Sequence, residues 1–157
     1  MKYRVPRLRA ASAGEPAITD LDGTLLMRLD VVPHGRSMAV VVQSEDGAPL
    51  ATVTPRHALT GKAVDVEIGG ATFAALSMRG LKAQGAVRVR SDAGDYDIAG
   101  DFAAWDFHIL LNTSPVADVA PRKTGDDDAL VETSDHEEQL PLLALILAVD
   151  LLVGALR

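Results

Sequence analysis

The stretch from Leu140 to Leu156, LPLLALILAVDLLVGAL, constrains this chain more than any other, because it is apolar on every side except for Asp150. A helix without a polar face has to lie inside a protein core or in a membrane. As a helix, the 17 residues of this stretch span about 26 Å. A helix that crosses a bilayer usually needs roughly 20 apolar residues, so this one is short for a membrane span. A carboxylate near the bilayer centre would also cost roughly 2.5–3.5 kcal/mol. We therefore predict a buried helix over about 135–155, which the rest of the chain must surround.

Two signals compete for the start of this helix. Ser134 and Glu137 have the spacing of a capping box, which would start the helix directly after Ser134. Pro141 would then lie inside the helix, unless the first turn begins there. The first helical residue therefore stays open.

The chain before the helix alternates apolar and polar residues and is punctuated by turn residues, as half-buried antiparallel strands are. Asp-Gly at 22–23 and 46–47 and Gly-Gly at 69–70 favour tight turns whose twist matches the flanking strands. Two further hairpins are predicted to turn near 93–94 and through 112–115. The predicted strands are twelve, near residues 2–8, 15–20, 24–31, 37–43, 49–54, 63–68, 71–78, 86–91, 95–99, 104–111, 115–120 and 129–133.

Twelve short strands without crossover helices form a sandwich or a barrel, and no amphipathic helix pattern occurs before residue 134. Closure into a barrel removes exposed strand edges. Twelve strands also enclose more volume than their own inward side chains fill, and protein interiors pack densely. We therefore predict a mostly β fold: one domain over 1–157, a closed antiparallel barrel of roughly twelve strands that encloses the hydrophobic C-terminal helix.

Basic corners recur along the chain at similar positions after the strands. The stretches PRHALTGK (55–62) and MRGLKAQG (78–85) each follow an apolar strand, with weaker echoes near the N-terminus and from residue 120. If the hairpins repeat in space, the basic residues gather on one face; the alternative is that hairpins are alike by composition and the charges serve solubility. The residues concerned are Arg56, Lys62, Arg79, Lys82, Arg88 and Arg90.

Composition excludes several classes of function. A net charge of −7 argues against broad adhesion to nucleic acid or anionic membranes through global charge. The absence of cysteine excludes disulfides, thiolate metal sites and cysteine nucleophiles, and it fits a reducing compartment. The N-terminus, MKYRVPRLRAAS, has charges but no apolar core of secretory length, so we expect no signal peptide and a cytoplasmic location.

The order Asp-Leu-Asp-Gly-Thr at 20–24 resembles the motif of haloacid-dehalogenase-type phosphatases, with Asp20 as nucleophile and Asp22 as acid/base. Such an enzyme also needs a Ser or Thr, a Lys and a later acidic pair that binds Mg²⁺. The chain offers Ser77, Lys82, Asp101 and Asp106 for these roles.

Three observations favour a hairpin turn over this active site. The segment before Asp20, GEPAIT, is too short and polar for the central strand of a parallel sheet. Crossover helices, which such a sheet needs, are not indicated. The segment after Gly23, TLLMRLDVV, has the pattern of a returning strand.

No other constellation of residues predicts catalysis, a cofactor or a metal. The four histidines have no ligand-like spacing, the acidic run at 124–138 lacks the ligand spacing and central Gly of an EF-hand loop, and no phosphate-binding loop occurs. Asp150 needs a partner inside an apolar helix, and we predict a structural hydrogen bond or salt bridge to the barrel rim.

With these elements in place, the chain resembles the LURP-one-related family, which shares its fold with the tubby C-terminal domain and the phospholipid scramblases. The matching segments run in order over nearly the whole length. They are MKYRV (1–5), AITDLDGTLLMRLD (17–30), EDGAPLATVTPRHAL (45–59), DYDIAGDFAAWDFHI (95–109) and LILAVDLL (145–152). Family members usually carry aromatic residues in the basic corners, and here RLRAAS, RHALTG and RGLKAQ carry none.

The resemblance implies a non-enzymatic binding or scaffolding module. Tubby-type domains bind phosphoinositides through basic residues, so an anionic lipid head group is the candidate ligand here, with a protein partner as the alternative. The candidate residues are Arg56, Lys62, Arg79 and Lys82. A small Mg²⁺-dependent phosphatase is the competing hypothesis. We expect no nucleic-acid partner, no transmembrane span and no cofactor, and the oligomeric state stays open.

Overall fold

A computed structural model of the chain describes residues 1–8, 16–58, 61–77, 86–121 and 128–154. The described residues form twelve strands and one long helix, as predicted. The strands are β1 (Lys2–Pro6), β2 (Ala17–Thr19), β3 (Leu25–His34), β4 (Ser37–Gln43), β5 (Pro49–Ala58), β6 (Gly61–Ile68), β7 (Ala71–Ser77), β8 (Ala86–Ser91), β9 (Gly94–Asp101), β10 (Asp106–Leu111), β11 (Ser114–Pro121) and β12 (Asp128–Thr133). The helix, α1, covers Gln139–Gly154.

The strands form one antiparallel sheet that curls into a nearly closed barrel. Their order is β7-β6-β5-β4-β3-β2-β1-β12-β11-β10-β9-β8, so the first and last strands of the chain are neighbours. In the part of the chain that the structure describes, no ladder joins β7 to β8. The ring of Phe73 on β7 lies 6.1 Å from that of Tyr96 on β9 and spans this seam. The predicted β-barrel with its C-terminal helix is confirmed, with closure incomplete at one seam.

Helix α1 is buried along most of its length. Every residue from Pro141 to Asp150 is buried, and Leu142 to Val149 share one hydrophobic core with the inward side chains of the strands. Fully burying a Leu or Ile side chain stabilises the fold by about 1.5–3 kcal/mol. Among the described helices, none combines the length and apolarity that crossing a membrane requires.

Of the alternatives left open for the start of the helix, the capping box at Ser134 and Glu137 is not the one found, because α1 begins at Gln139. The N–H of Glu137 donates instead to the carbonyl of Ser134 at 3.3 Å, in a separate turn before the helix. Pro141 falls in the first turn of α1, where backbone N–H groups have no partner within the helix and the missing donor costs little.

The side chain of Gln139 fastens the start of α1 to the barrel. Its Oε1 accepts hydrogen bonds from the hydroxyl of Tyr3 on β1, at 2.9 Å, and from that of Thr133 at the end of β12. Its Nε2 donates to the carbonyls of Ser134 and Glu137. Every polar atom of this side chain is therefore engaged where the helix enters the core.

Because neighbouring strands are antiparallel, alternate connections lie at the same end of the barrel. We call one end the turn end: it holds the short connections β2–β3, β4–β5, β6–β7, β8–β9 and β10–β11. The opposite end, where β3, β5 and β9 finish, is called the basic end. Helix α1 starts at the turn end, and its Asp150 reaches the basic end, where it contacts Leu8 and Trp105.

Candidate anion-binding cleft

A cleft opens at the basic end because two neighbouring hairpins part from each other. The ladder between β4 and β5 extends toward this end only as far as Val40 and Val53. Pairing of β3 with β4 continues to His34, and pairing of β5 with β6 continues to Ala58. Pro55 lies just beyond the last β4–β5 pair and has no N–H to donate to a ladder. The gap between the two hairpins has a volume of about 680 Å³.

The cleft has a basic rim and an apolar floor. The rim side chains are exposed, and no carboxylate occurs among the described residues that line the cleft. The basic residues of the rim are His34, Arg36, Arg56, His57 and Lys62. The apolar lining residues are Pro55, Ala63, Val64, Leu151 and Leu152, the last two from helix α1. The charges of Arg36, Arg56 and Lys62 favour a local positive potential at the rim despite the negative net charge of the chain.

Arg56 forms an ion pair with Asp65 of the adjacent strand, at an N–O distance of 2.8 Å. Nε of Arg56 also donates a hydrogen bond to the other carboxylate oxygen, Oδ1 of Asp65, at 2.9 Å. The two side chains are 47% and 32% exposed. An ion pair at such exposure contributes only about 0.2–1 kcal/mol, so a ligand anion can compete for the guanidinium.

A similar pair lies away from the cleft. Nε of Arg88 on β8 is 2.8 Å from Oδ1 of Asp97 on β9, and Arg88 does not line the cleft. The hydrogen bond from Arg88 to Asp97, which stabilises the charged guanidinium, raises the pKa of Arg88. Because Arg88 and Asp97 form a similar ion pair outside the cleft, substitutions in this pair are a control for substitutions of Arg56 and Asp65.

Of the four residues predicted to bind an anion, the structure brings Arg56 and Lys62 together at the rim. Arg79 and Lys82 lie outside the described residues. Arg88 and Arg90, which the repeat hypothesis grouped with them, are on β8 and do not line the cleft. Arg56 also lies within strand β5, which continues to Ala58, so the corner predicted to begin at Pro55 starts later.

Sequence reasoning missed His34, Arg36 and His57 as members of this group. The number of predicted hairpins could have located these residues at the same end of the barrel as Arg56. Since alternate connections share an end, the β3–β4 turn at 35–36 and the β5–β6 connection must lie at the same end of the barrel. The floor residues Leu151 and Leu152 could not be assigned in this way, because their position depends on how deeply the helix is inserted.

Asp20, the predicted nucleophile of the phosphatase hypothesis, organises the β2–β3 turn. Its Oδ1 accepts hydrogen bonds from the backbone N–H groups of Asp22 and Thr24, both at 2.9 Å. Gly23 has a φ of +88° and donates its N–H to the carbonyl of Asp20 at 3.2 Å. The carboxylate of Asp20 thus stabilises the turn by accepting two backbone hydrogen bonds.

The β4–β5 turn uses the same arrangement with different residues. Oγ of Ser44 accepts a hydrogen bond from the N–H of Ala48 at 3.1 Å, and Gly47 donates its N–H to the carbonyl of Ser44 at 3.0 Å. Gly47 has a φ of +90°, close to that of Gly23. A serine in the place of Asp20 supports the same turn, so the turn requires a side-chain acceptor and not a carboxylate in particular.

The other residues of the phosphatase hypothesis do not assemble around Asp20. Asp101 and Asp106 flank the β9–β10 connection at the basic end, whereas Asp20 and Asp22 lie at the turn end. Ser77 finishes β7 at the basic end, and Lys82 is outside the described residues. Within the described ranges, no group of three or more His, Asp or Glu side chains is arranged to hold a metal ion.

Asp150 has the structural role predicted for it. Its Oδ2 accepts a hydrogen bond from the backbone N–H of Leu8 at 2.6 Å, and its Oδ1 accepts one from the indole N–H of Trp105 at 3.2 Å. The guanidinium of Arg7 lies over the Trp105 ring, 5.1 Å from its centroid. Asp150 therefore joins the end of α1 to two segments of the barrel rim.

Comparisons with known proteins support the fold. No family model matches the chain, and no curated protein matches its sequence. The X-ray structure of a protein from Arabidopsis thaliana is similar, with a TM-score of 0.61 over 99% of this chain and 92% of that chain. The two sequences are 17% identical, so the likeness shows a shared fold. The chain is thus a nearly closed twelve-stranded barrel with a C-terminal helix, a fold that it shares with a plant protein.

Proposed function

We propose that this chain is a non-enzymatic binding module and that the cleft at the basic end is its binding site, with an anion as the ligand. The observation that carries this proposal is the composition of the rim: five basic side chains, with no carboxylate among the described lining residues. Arginine and lysine side chains bind carboxylate and phosphate groups through charge-assisted hydrogen bonds. A net charge of −7 means that such binding depends on this local site and not on global attraction.

We further propose that the chain is of the LURP-one-related type, with a cytoplasmic location. Two observations support the family type: the ordered segments that resemble that family, and the barrel shared with the Arabidopsis thaliana protein. The related tubby-type domains bind phosphoinositides through basic residues, which favours an anionic lipid head group as the ligand. The missing aromatic residues in the corners set this chain apart from the usual family pattern, so the ligand contacts here depend on the rim cations.

Vesicle flotation tests the proposal directly. We expect the chain to float with phosphatidylcholine vesicles that contain a phosphoinositide or phosphatidylserine, and not with phosphatidylcholine alone. The double substitution Arg56→Gln with Lys62→Gln should abolish flotation, since it removes two rim cations. Retention should also fall as the salt concentration rises, because exposed charges are screened.

The matched control is Arg88→Gln with Arg90→Gln, which removes the same charge from β8, outside the cleft. This variant should float like the unmodified chain. Equal loss of flotation in both double variants would attribute binding to overall charge, and no flotation of the unmodified chain on either anionic lipid would reject the lipid ligand. Thermal unfolding of each variant checks that the fold is intact.

A further inference from the structure

The apolar floor of the cleft narrows the class of ligand further than the basic rim does. Leu151 and Pro55 are partly exposed and form the accessible apolar surface of the lining, whereas Val64 and Leu152 beneath them are each only 1% exposed. These side chains lie directly beneath exposed cations. A small hydrated anion could be held by the rim alone and would leave the exposed parts of Leu151 and Pro55 facing water.

The size of the cleft also favours a ligand larger than a single small anion. Its volume of about 680 Å³ is within the range of roughly 300–1,000 Å³ that is usual for small-molecule sites. One carboxylate or phosphate group fills only a small part of a cleft of this size. The remaining space borders the floor formed by helix α1 and strand β6.

The rim cations by themselves provide weak binding. Their side chains are exposed, so their attraction for an anion is reduced by the high dielectric constant of water and screened by salt. Removing apolar surface from water adds to affinity in proportion to the area covered. A ligand that contacts both rim and floor is therefore bound more tightly than an anion that contacts the rim alone.

We infer that the ligand is an amphiphilic anion: a carboxylate or phosphate group held by Arg56, Lys62 and Arg36, attached to an apolar chain that lies on Leu151 and Pro55. This inference rests on the proposed anion-binding function and specifies its ligand class. The same chemistry occurs in a free single-chain acid and in a membrane lipid, and the experiment separates these sources.

The test is a titration with the sodium salts of butanoate, hexanoate, octanoate and decanoate, each below its micelle concentration, followed by isothermal calorimetry. We expect the affinity to rise about two- to fourfold per added methylene until the floor is covered. Inorganic phosphate should bind more weakly than octanoate. Octanol, which has the chain without the charge, should also bind more weakly than octanoate.

A pair of leucine variants on one helix connects the chain-length effect to the floor. Leu151 and Leu140 are both half-buried and lie near opposite ends of α1. Leu151→Ser should flatten the rise in affinity with chain length, whereas Leu140→Ser should leave it unchanged. Thermal unfolding of both variants separates a changed floor from a lost fold, and the chain-length series on the unmodified chain decides the inference even if a variant does not fold.

The outcomes distinguish this inference from the function on which it rests. Binding of phosphate and all four acids with equal affinity overturns the amphiphilic ligand and retains an anion site. Flotation on phosphatidylserine vesicles without binding of any free acid also overturns it, because the head group alone would then be recognised. If no phosphate, acid or anionic vesicle binds, the proposed function itself fails. Affinity that rises with chain length and is lost in Arg56→Gln supports both.

Discussion

The two ends of the barrel finish their hairpins in different ways. At the turn end, β2–β3 and β4–β5 close within a few residues, and each turn is fixed by a side-chain acceptor, Asp20 or Ser44, and a glycine of positive φ. At the basic end, the ladder between β4 and β5 stops early and the hairpins separate, which leaves a cleft. Local turn chemistry therefore closes one end, while incomplete strand pairing opens the other.

The two ends of helix α1 have surroundings of opposite charge. Glu137 and Glu138 directly precede the start of α1, and the basic rim of the cleft lies beside Leu151 and Leu152 near its end. The start of a helix is the positive end of its dipole, and its last turn is the negative end. Within its described residues, α1 has no acidic residue in its first turn and no basic residue in its last, so the surrounding segments supply these charges. Burial, with the negative charges of Glu137 and Glu138, raises the pKa of Tyr96.

The largest expected effect comes from breaking the helix that both ends share. Ile146→Asp should abolish soluble folding, since Ile146 is fully buried and an unpaired carboxylate there costs more than most of the roughly 5–15 kcal/mol that stabilises a domain. Soluble yield and circular dichroism measure this. Leu130→Asp is the matched control, because Leu130 is 39% exposed on β12. Normal folding of Ile146→Asp would place the helix outside the core.

The next effect should appear at the basic end. Asp150→Ala leaves the buried N–H groups of Leu8 and Trp105 without this acceptor, and we expect the free energy of unfolding to fall by about 2–5 kcal/mol. Urea denaturation measures the change. Asp118→Ala, on the exposed face of β11, should stay within about 0.5 kcal/mol of the unmodified chain. A similarly small change for Asp150→Ala would show that the rim is held without this carboxylate.

A smaller effect is expected at the turn end. Asp20→Ala removes two hydrogen bonds from an exposed turn and should lower the free energy of unfolding by about 1–2 kcal/mol. Asp20→Asn keeps an acceptor oxygen and should lose less. The same variant tests the phosphatase hypothesis, since Asn cannot act as the nucleophile. Hydrolysis of p-nitrophenyl phosphate that Asp20→Asn abolishes would establish the enzyme and contradict our proposal.

The smallest effect is a gain in affinity without a change of fold. Asp65→Asn removes the carboxylate that holds Arg56, and octanoate should bind about two- to fivefold more tightly, as the worth of an exposed ion pair allows. Asp97→Asn releases Arg88 in the same way but away from the cleft, and should leave the affinity unchanged. Calorimetry on both variants measures the difference. An equal gain in both would mean that overall charge, and not the release of Arg56, governs binding.

Much of the barrel could be predicted from the sequence, because strands and turns depend on short-range patterns. The alternation of apolar residues located all twelve strands, and the Asp-Gly pairs at 22–23 and 46–47 located two of the turns. The apolar stretch after Leu140 predicted a buried helix. The first residue of the helix could not be predicted from the local pattern. Gln139, where the helix starts, is held by hydrogen bonds from Tyr3 and Thr133, which only the fold brings close to it.

The candidate site was predicted only in part. The sequence by itself determined that Arg56 and Lys62 follow an apolar strand, that the helix must be buried, and that Asp150 needs a partner. The hairpin count places His34 and Arg36 at the same end of the barrel as Arg56, but only the tertiary structure decided that they line one cleft with Leu151 and Leu152. The physical reason is that a cleft depends on where a ladder between two strands ends and how deeply a helix is inserted. Both are set by packing between segments that are distant in the chain, and no local pattern encodes them.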